Sequence, residues 1–247
     1  AAEIAMRIVR KKKGTLEERI QDITSTYVKE TKKTKTHTHS SKRPVPAGLG
    51  CTFRSVDSKT EALVKKKIAG SWDLKEHGGF YHKIHAIYQI SGTDHFKKYK
   101  EIEKAKDNVM FGYHSTAFSY ATAISKSQYK ASSGGMLGGG VYVTDVASKS
   151  AQYLKGDCNV CRHHGTRGVM LVNKVSLGKV HDAATNARNS GKHEEPSRGL
   201  ADSIYAKKGS SVPGYWQAVR NDEHVVKNKD AVIPMYWVDI ELTPPKK

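Results

Sequence analysis

Three short segments of this sequence carry polar or aromatic side chains where strands should end. The first is Phe111-Gly112-Tyr113-His114-Ser115-Thr116. The second is GGMLGGGVYVTDVASKSAQY, residues 134–153, and the third is Asn221-Asp222-Glu223-His224-Val225-Val226. An imidazole, a lysine and a carboxylate are the side-chain types of acid–base and electrostatic catalysis. Taken singly, each has a plainer reading. A lone histidine after an apolar run is more often structural than catalytic. Tyr142 alone reads as a core strand aromatic, and Glu223 alone as a solvated carboxylate. The glycine cluster reads as turns. No G-K-[ST] follows it, and it opens no G-x-G-x-x-G fingerprint, so the common nucleotide-binding loops are not supported.

Taken together and in chain order, the three segments resemble the NAD-binding signature of the poly(ADP-ribose) polymerase family, its H-Y-E triad. HST stands where that family has H-G-S or H-G-T. GGGVYVTDVASKSAQY stands where it has G-x-G-I-Y-F-A-x-x-x-S-K-S-x-x-Y, and NDEHVV stands where it has N-E-Y-I-V-Y. The middle match is the specific one, because Tyr142, Ser148-Lys149-Ser150 and Tyr153 all fall at the family spacing. The similarity runs from about Val56 to Leu242.

A tankyrase-type relationship is suggested by CNVCRHH ahead of VMLVNKVSLGKV and by LADSI at 200–204. About 60 residues separate Cys51 from His114, which is too short for the autoinhibitory helical domain of DNA-damage-dependent members.

The resemblance implies an NAD-consuming ADP-ribosyltransferase that releases nicotinamide, with NAD as substrate. Breaking the nicotinamide–ribose bond passes through an oxocarbenium-like state. A carboxylate at the 2′-hydroxyl, the implied role of Glu223, stabilises the charge that develops. Tyr142 and Tyr153 would sandwich the nicotinamide. Ser115 backbone groups and the Ser150 hydroxyl would hold its carboxamide, and His114 would bond the adenosine ribose. Lys149 stands at the family's active-site lysine. Three departures stand out. Ser115 replaces a glycine and would crowd the carboxamide if its backbone needs positive φ. Ala117 replaces a residue that is often arginine or a proline-like one, and His224 replaces a common aromatic.

Cys158 and Cys161 form a C-x2-C followed by His163 and His164, a set suited to structural zinc, with Cys51 or another distant residue as fourth ligand. The upstream C-x2-H of tankyrases is missing. Two reduced cysteines in a loop is the alternative.

These residues need a framework to position them. A chain of 247 residues, 37% apolar, can build a real core. Short β-rich runs at Val109–Tyr113, Gly140–Val143, Gly168–Val175, Glu223–Val226 and Tyr236–Leu242 are separated by glycine-rich turns. Before them come a helix opened by Ser58 and Glu61 in capping-box spacing, a strand over His82–Ile90 and a charged helix over Phe96–Lys106. Helices first and strands after argue for an α+β class rather than a parallel βαβ sheet. The resemblance narrows this to the ADP-ribosyltransferase fold, two packed antiparallel-rich sheets with flanking helices, over residues 51–247.

Residues 1–50 read as a basic arm. Thr15 and Glu18 open an amphipathic helix through Leu16, Ile20, Ile23 and Tyr27, and residues 31–49 have a linker composition. This arm carries 12 Lys/Arg against 5 Asp/Glu, a net of +7, leaving +11 of the total +18 to residues 51–247. Such charge suits nucleic acid, a nucleoprotein complex or an anionic substrate, and is also what a solvated basic surface looks like. Protein acceptors are expected from the resemblance. No run approaches the roughly 18 apolar residues of a membrane span, and no secretory leader opens the chain. Three cysteines suit a reducing, intracellular compartment, nuclear or cytoplasmic. A basic binding module that keeps the fold without the activity is the alternative function, and an NAD hydrolase or toxin is a third. Residues 182–200, where acceptor choice would lie, show no interpretable motif.

Overall fold

A computed structural model describes residues 51–74, 79–92, 94–106, 108–154, 167–183, 201–212 and 218–243. All of them fall in the compact unit Val45–Lys247. The expected helix and linker of residues 1–50, the cysteine–histidine segment with Cys158, Cys161, His163 and His164, and most of 182–200 lie outside the described residues.

The chain begins with β1 (Thr52–Ser55), α1 (Ser58–Gly70), β2 (Tyr81–Ser91), α2 (Asp94–Ala105), β3 (Val109–Thr116) and α3 (Phe118–Ser127). It continues with β4 (Val141–Val143), the short α4 (Ala147–Ala151), β5 (Arg167–Ser176), β6 (Val180–Asp182), β7 (Ser203–Ala206), β8 (Glu223–Val226) and β9 (Val232–Thr243). The class is α+β. One sheet has the order β1-β2-β9-β5-β3 and the other β4-β8-β7-β6. The pairing is antiparallel throughout, apart from β6 and β7, which run parallel. The longer expected strands lie inside observed ones. Five of the described elements carried too little pattern to be foreseen: β1, α3, α4, β6 and β7.

Helix α1 starts one residue earlier than the capping-box spacing implies. Asp57, not Ser58, is the N-cap, and its carboxylate accepts from the Thr60 N–H at 2.7 Å. Ionised aspartate satisfies an orphan first-turn donor and suits the positive end of the helix dipole, so it displaces serine from that place. Its carboxyl is held below the ordinary range by those Thr60 hydrogen bonds.

Strand β5 decides how the layers stack. It is buried on both faces, so its residues alternate between two cores. Val169 and Leu171 join Val141, Val143, Val226 and Trp237 between the two sheets. Met170 and Val172 point the other way and pack with Val64 and Ile68 of α1, Val238 and Ile240 of β9, and Ala147 of α4. A third cluster, with Leu137, Ile204, Ala206 and Val225, covers the far face of the smaller sheet. The alternation survives a register shift between Val172 and Asn173. There Asn173 is wholly buried, accepting from the Tyr129 hydroxyl at 2.7 Å and donating to the Gly112 and Leu171 carbonyls. A buried amide with its groups satisfied costs little, whereas an unpaired one costs a lot.

The two sheets also meet edge to edge. Tyr113, on the outer strand β3, exchanges backbone hydrogen bonds with Thr144 just after β4. Its N–H reaches the Thr144 carbonyl at 2.7 Å, and the Thr144 N–H returns at 3.3 Å. Side chains beyond that bridge are therefore delivered by both sheets to one place.

Ile240 is fully buried, while Leu63, on the outer side of α1, is 52% exposed. Ile240→Ala is expected to cost about 2–5 kcal/mol through lost burial and an unfilled cavity. Leu63→Ala should stay within about 0.5 kcal/mol. Urea midpoints of the two variants check the contrast.

Candidate active site

Where the two sheets join, a cleft of ≈ 320 Å³ opens. Its walls include Tyr113, His114, Ser115 and Thr116 from β3, Tyr120 from α3, and Tyr142, Val143 and Thr144 from β4. Lys149, Ser150 and Tyr153, from α4 and the turn after it, and Glu223 from β8 complete it. All the candidate binding and catalytic residues named from sequence meet here, although Glu223 lies more than a hundred positions after His114. The zinc candidates do not enter the comparison, because they lie outside the described residues. Among the described residues no group of three or more His, Cys, Asp or Glu is placed to hold a metal. Cys51 is a free thiol, with its pKa raised by burial and partly lowered by Lys126.

His114 has a defined tautomer. Its Nδ1 lies 3.0 Å from the Tyr142 carbonyl oxygen, which can only accept, so Nδ1 carries the proton. Nε2 is then left with a lone pair. Burial pushes the imidazole pKa below its ordinary value, the Tyr142 carbonyl pulling partly the other way. The ring also stands edge-on to Tyr129, 5.2 Å between centroids. Neutral His114 is thus an acceptor with its orientation set by β4.

Tyr142 presents its ring and not its hydroxyl. The hydroxyl accepts from the Leu137 N–H at 2.9 Å and donates to the Gly138 carbonyl at 2.8 Å. This tuck explains the glycine cluster. A Cβ on Gly135, where φ is +154°, would collide with the Tyr142 hydroxyl. One on Gly140 would come within 2.5 Å of a Val225 methyl. The glycines make room for a tyrosine and a neighbouring strand.

Lys149 Nζ stands 3.1 Å from Glu223 Oε1, with both side chains 14% exposed. The same ammonium lies 5.6 Å from the Tyr153 ring centroid, close enough for a cation–π attraction. Glu223 is positioned by its neighbours. The Thr144 hydroxyl donates to the Asp222 carbonyl at 2.8 Å, tying β8 to the bridge residue. The Asp222 carboxylate takes the Tyr205 hydroxyl at 2.9 Å and the Lys208 N–H at 2.7 Å. Asp222 is thereby pinned beside β7, and strand alternation sends Glu223 to the cleft side.

The three departures take on physical meaning. Ser115 sits in the regular β3–β5 ladder opposite Met170. Among the described non-glycine residues only Asn108 and Gln128 have positive φ, so no glycine-only backbone is demanded at Ser115. Ala117 is the N-cap of α3, with no side-chain cap. His224 does the work of an aromatic: it stacks on Tyr205 at 4.8 Å and 26°. Burial lowers its pKa against the pull of Asp145 and Asp222.

Sequence reasoning passed over Thr144, Asn173 and Tyr120. The first two act through long-range pairing that no local pattern encodes. Tyr120 did carry a signal, an aromatic on the polar side of a helix beginning four residues after His114. It is 65% exposed and lines the cleft, as does the 55% exposed Tyr153.

A model of the poly(ADP-ribose) polymerase catalytic domain matches residues 58–241, an interval that holds the whole cleft. The chain belongs to the poly(ADP-ribose) polymerase catalytic-domain family. Its relatives include poly(ADP-ribose) polymerase 2-B of Oryza sativa subsp. japonica, 24% identical over 216 residues, 77% of this chain and 34% of that protein. Poly(ADP-ribose) polymerase 2 of Zea mays is 26% identical over 188 residues, 72% of this chain and 27% of that protein. Poly(ADP-ribose) polymerase 1 of Arabidopsis thaliana is 26% identical over 132 residues, 51% of this chain and 13% of that protein. The chain thus spans 34% or less of the length of these relatives.

Since His114 is depressed below its unfolded value, the folded state holds it neutral while the unfolded chain takes up a proton near pH 6.5. Its contribution to stability is full above that value and is lost as pH falls through the folded-state pKa. His82 and His224, also depressed by burial, act with the same sign. Histidine-resolved NMR should show His114 titrating below 6.5, and urea midpoints should fall on going from pH 7.5 to 5.5. A His114 pKa at or above 6.5 would contradict this account.

Proposed function

We propose that this domain transfers ADP-ribose from NAD to a macromolecular acceptor and releases nicotinamide. One observation carries the reading: Glu223, Lys149, Tyr142, Tyr153, a neutral His114, Ser115 and Ser150 line a single cleft. Membership of the family supports ADP-ribosyl chemistry. The role of each residue is our inference.

In this reading the nicotinamide ring lies between Tyr142 and Tyr153, and the Ser115 backbone groups and the Ser150 hydroxyl hold its carboxamide. The His114 Nε2 lone pair accepts a ribose hydroxyl. Glu223 meets the 2′-hydroxyl of the ribose whose bond breaks. As the C–N bond lengthens, positive charge grows on the sugar, and a carboxylate fixed there stabilises the transition state more than the ground state. The bonding pair leaves with nicotinamide, which becomes neutral, and an acceptor nucleophile replaces it at the anomeric carbon. Lys149 holds Glu223 in place, and it exchanges this partner in part for the ribose when NAD binds. Tyr142 keeps its orientation because the glycine loop grips its hydroxyl.

Within the family we place the domain with the tankyrase type, on CNVCRHH ahead of VMLVNKVSLGKV. The interval from Cys51 to His114 is taken up by β1, α1, β2, α2 and β3, which fits a catalytic domain with no helical domain inserted there. Residues 51–247 constitute that domain in our reading, and residues 1–50 a basic arm that brings it to protein or nucleoprotein targets. The net charge of +18 supports such targets, nucleic acid included.

The test is incubation of the full chain with labelled NAD, following both nicotinamide release and label on protein. Glu223→Gln keeps the shape and removes the charge, and it should lower the rate by about 10²–10³-fold with much smaller change in KM. Equal turnover by wild type and variant would reject the proposed role of Glu223. Nicotinamide release without transfer to any acceptor would identify a hydrolase instead.

A further inference from the structure

The Ser115 and Ser150 hydroxyls are 2.8 Å apart, both residues are almost wholly buried, and both line the cleft. They come from different elements, β3 and α4, so only the tertiary fold pairs them. Two hydroxyls together have two protons and four lone pairs. Their mutual bond uses one proton and one lone pair. One O–H donor and three acceptor positions remain on residues that line the cleft.

We propose that the Ser115 hydroxyl, beyond the Ser115 backbone groups and the Ser150 hydroxyl already assigned to the carboxamide, adds an acceptor for a primary amide and so acts as a specificity-determining residue for the base. Ser115 donates its proton to Ser150 Oγ. Ser150 is then left with its own proton for the carboxamide oxygen, while the free lone pairs of Ser115 Oγ accept from the carboxamide nitrogen. A primary amide has two N–H groups and a carbonyl, so a backbone carbonyl can take one N–H and Ser115 Oγ the other. A carboxylate has no N–H to offer and would bring negative charge against those lone pairs. An ester keeps the carbonyl and lacks the N–H. The Ser115 substitution is thereby a second acceptor for the amide, and no obstruction. This inference deepens the NAD reading given above and rests on it.

The experiment compares nicotinamide with methyl nicotinate on the full chain, by competition against NAD consumption and by direct calorimetry. Wild type should prefer nicotinamide. In Ser115→Ala the preference should shrink by about 3–10-fold, the worth of one neutral hydrogen bond, because nicotinamide weakens while the ester does not. Ser115→Thr, which keeps the hydroxyl, should restore it. A role confined to packing would weaken both ligands together and leave their ratio unmoved. The inference is overturned if wild type does not discriminate, or if Ser115→Ala discriminates as wild type does while NAD is still consumed. Failure of wild type to consume NAD or bind nicotinamide would bring down the NAD reading and this inference with it.

Discussion

The seam between the two sheets is the constraint on which the site depends. Tyr113 and Thr144 exchange main-chain hydrogen bonds there, and His114 Nδ1 adds a third bond to the Tyr142 carbonyl. Each is an ordinary hydrogen bond of modest net worth, yet each would leave a partly buried polar group unsatisfied if broken. The seam brings an edge strand of the five-stranded sheet against an edge strand of the four-stranded one. It also covers part of both edges, which would otherwise offer unpaired N–H and C=O groups to other chains. His114, Ser115 and Thr116 emerge from one side of this join and Tyr142 from the other. Glu223 arrives beside them because Thr144 also holds the main chain of Asp222.

Rigidity and availability are divided between the atoms of single residues. Tyr142 spends its hydroxyl on the loop at Leu137–Gly138 and keeps its ring for the cleft. His114 spends Nδ1 on Tyr142 and keeps Nε2. Asp222 is consumed by Tyr205 and Lys208, and Glu223, its neighbour in sequence, is left for the cleft with Lys149. A preorganised site works in this way: supporting bonds fix orientation beforehand, and no reorganisation is required when charge develops. The Lys149–Glu223 pair differs in kind. Two opposite charges at 14% exposure attract more strongly than they would in water, but each has lost hydration in getting there. Its value is in fixing the position of the Glu223 carboxylate at the cleft wall.

Much of the framework was legible in the chain. The strand over 223–226 coincides with its observed limits, and the runs at 82–90, 109–113 and 168–175 sit inside longer strands. Alternation and flanking turn residues mark strands well because burial on a pleated surface demands them. Boundaries moved where tertiary pairing lengthened a strand, as with β9, which begins at Val232 rather than Tyr236. Short elements such as β6 and β7 carry too few residues to show a period at all. The cap of α1 shifted by one residue because aspartate outcompeted the serine beside it.

By itself the sequence determined the residue types and their order: a histidine within one strand-forming stretch, a serine–lysine–serine run between two tyrosines, and a glutamate opening another such stretch. Those features are local, and local patterning is what a linear chain records. The tertiary structure alone decided that they face one cleft, that Tyr142 offers its ring while its hydroxyl is tied down, and that Ser115 meets Ser150. It likewise decided that His114 carries its proton on Nδ1. Each of these facts depends on contact between elements far apart in the chain, with burial and hydrogen-bond geometry selecting the partner, and no periodicity encodes such a choice.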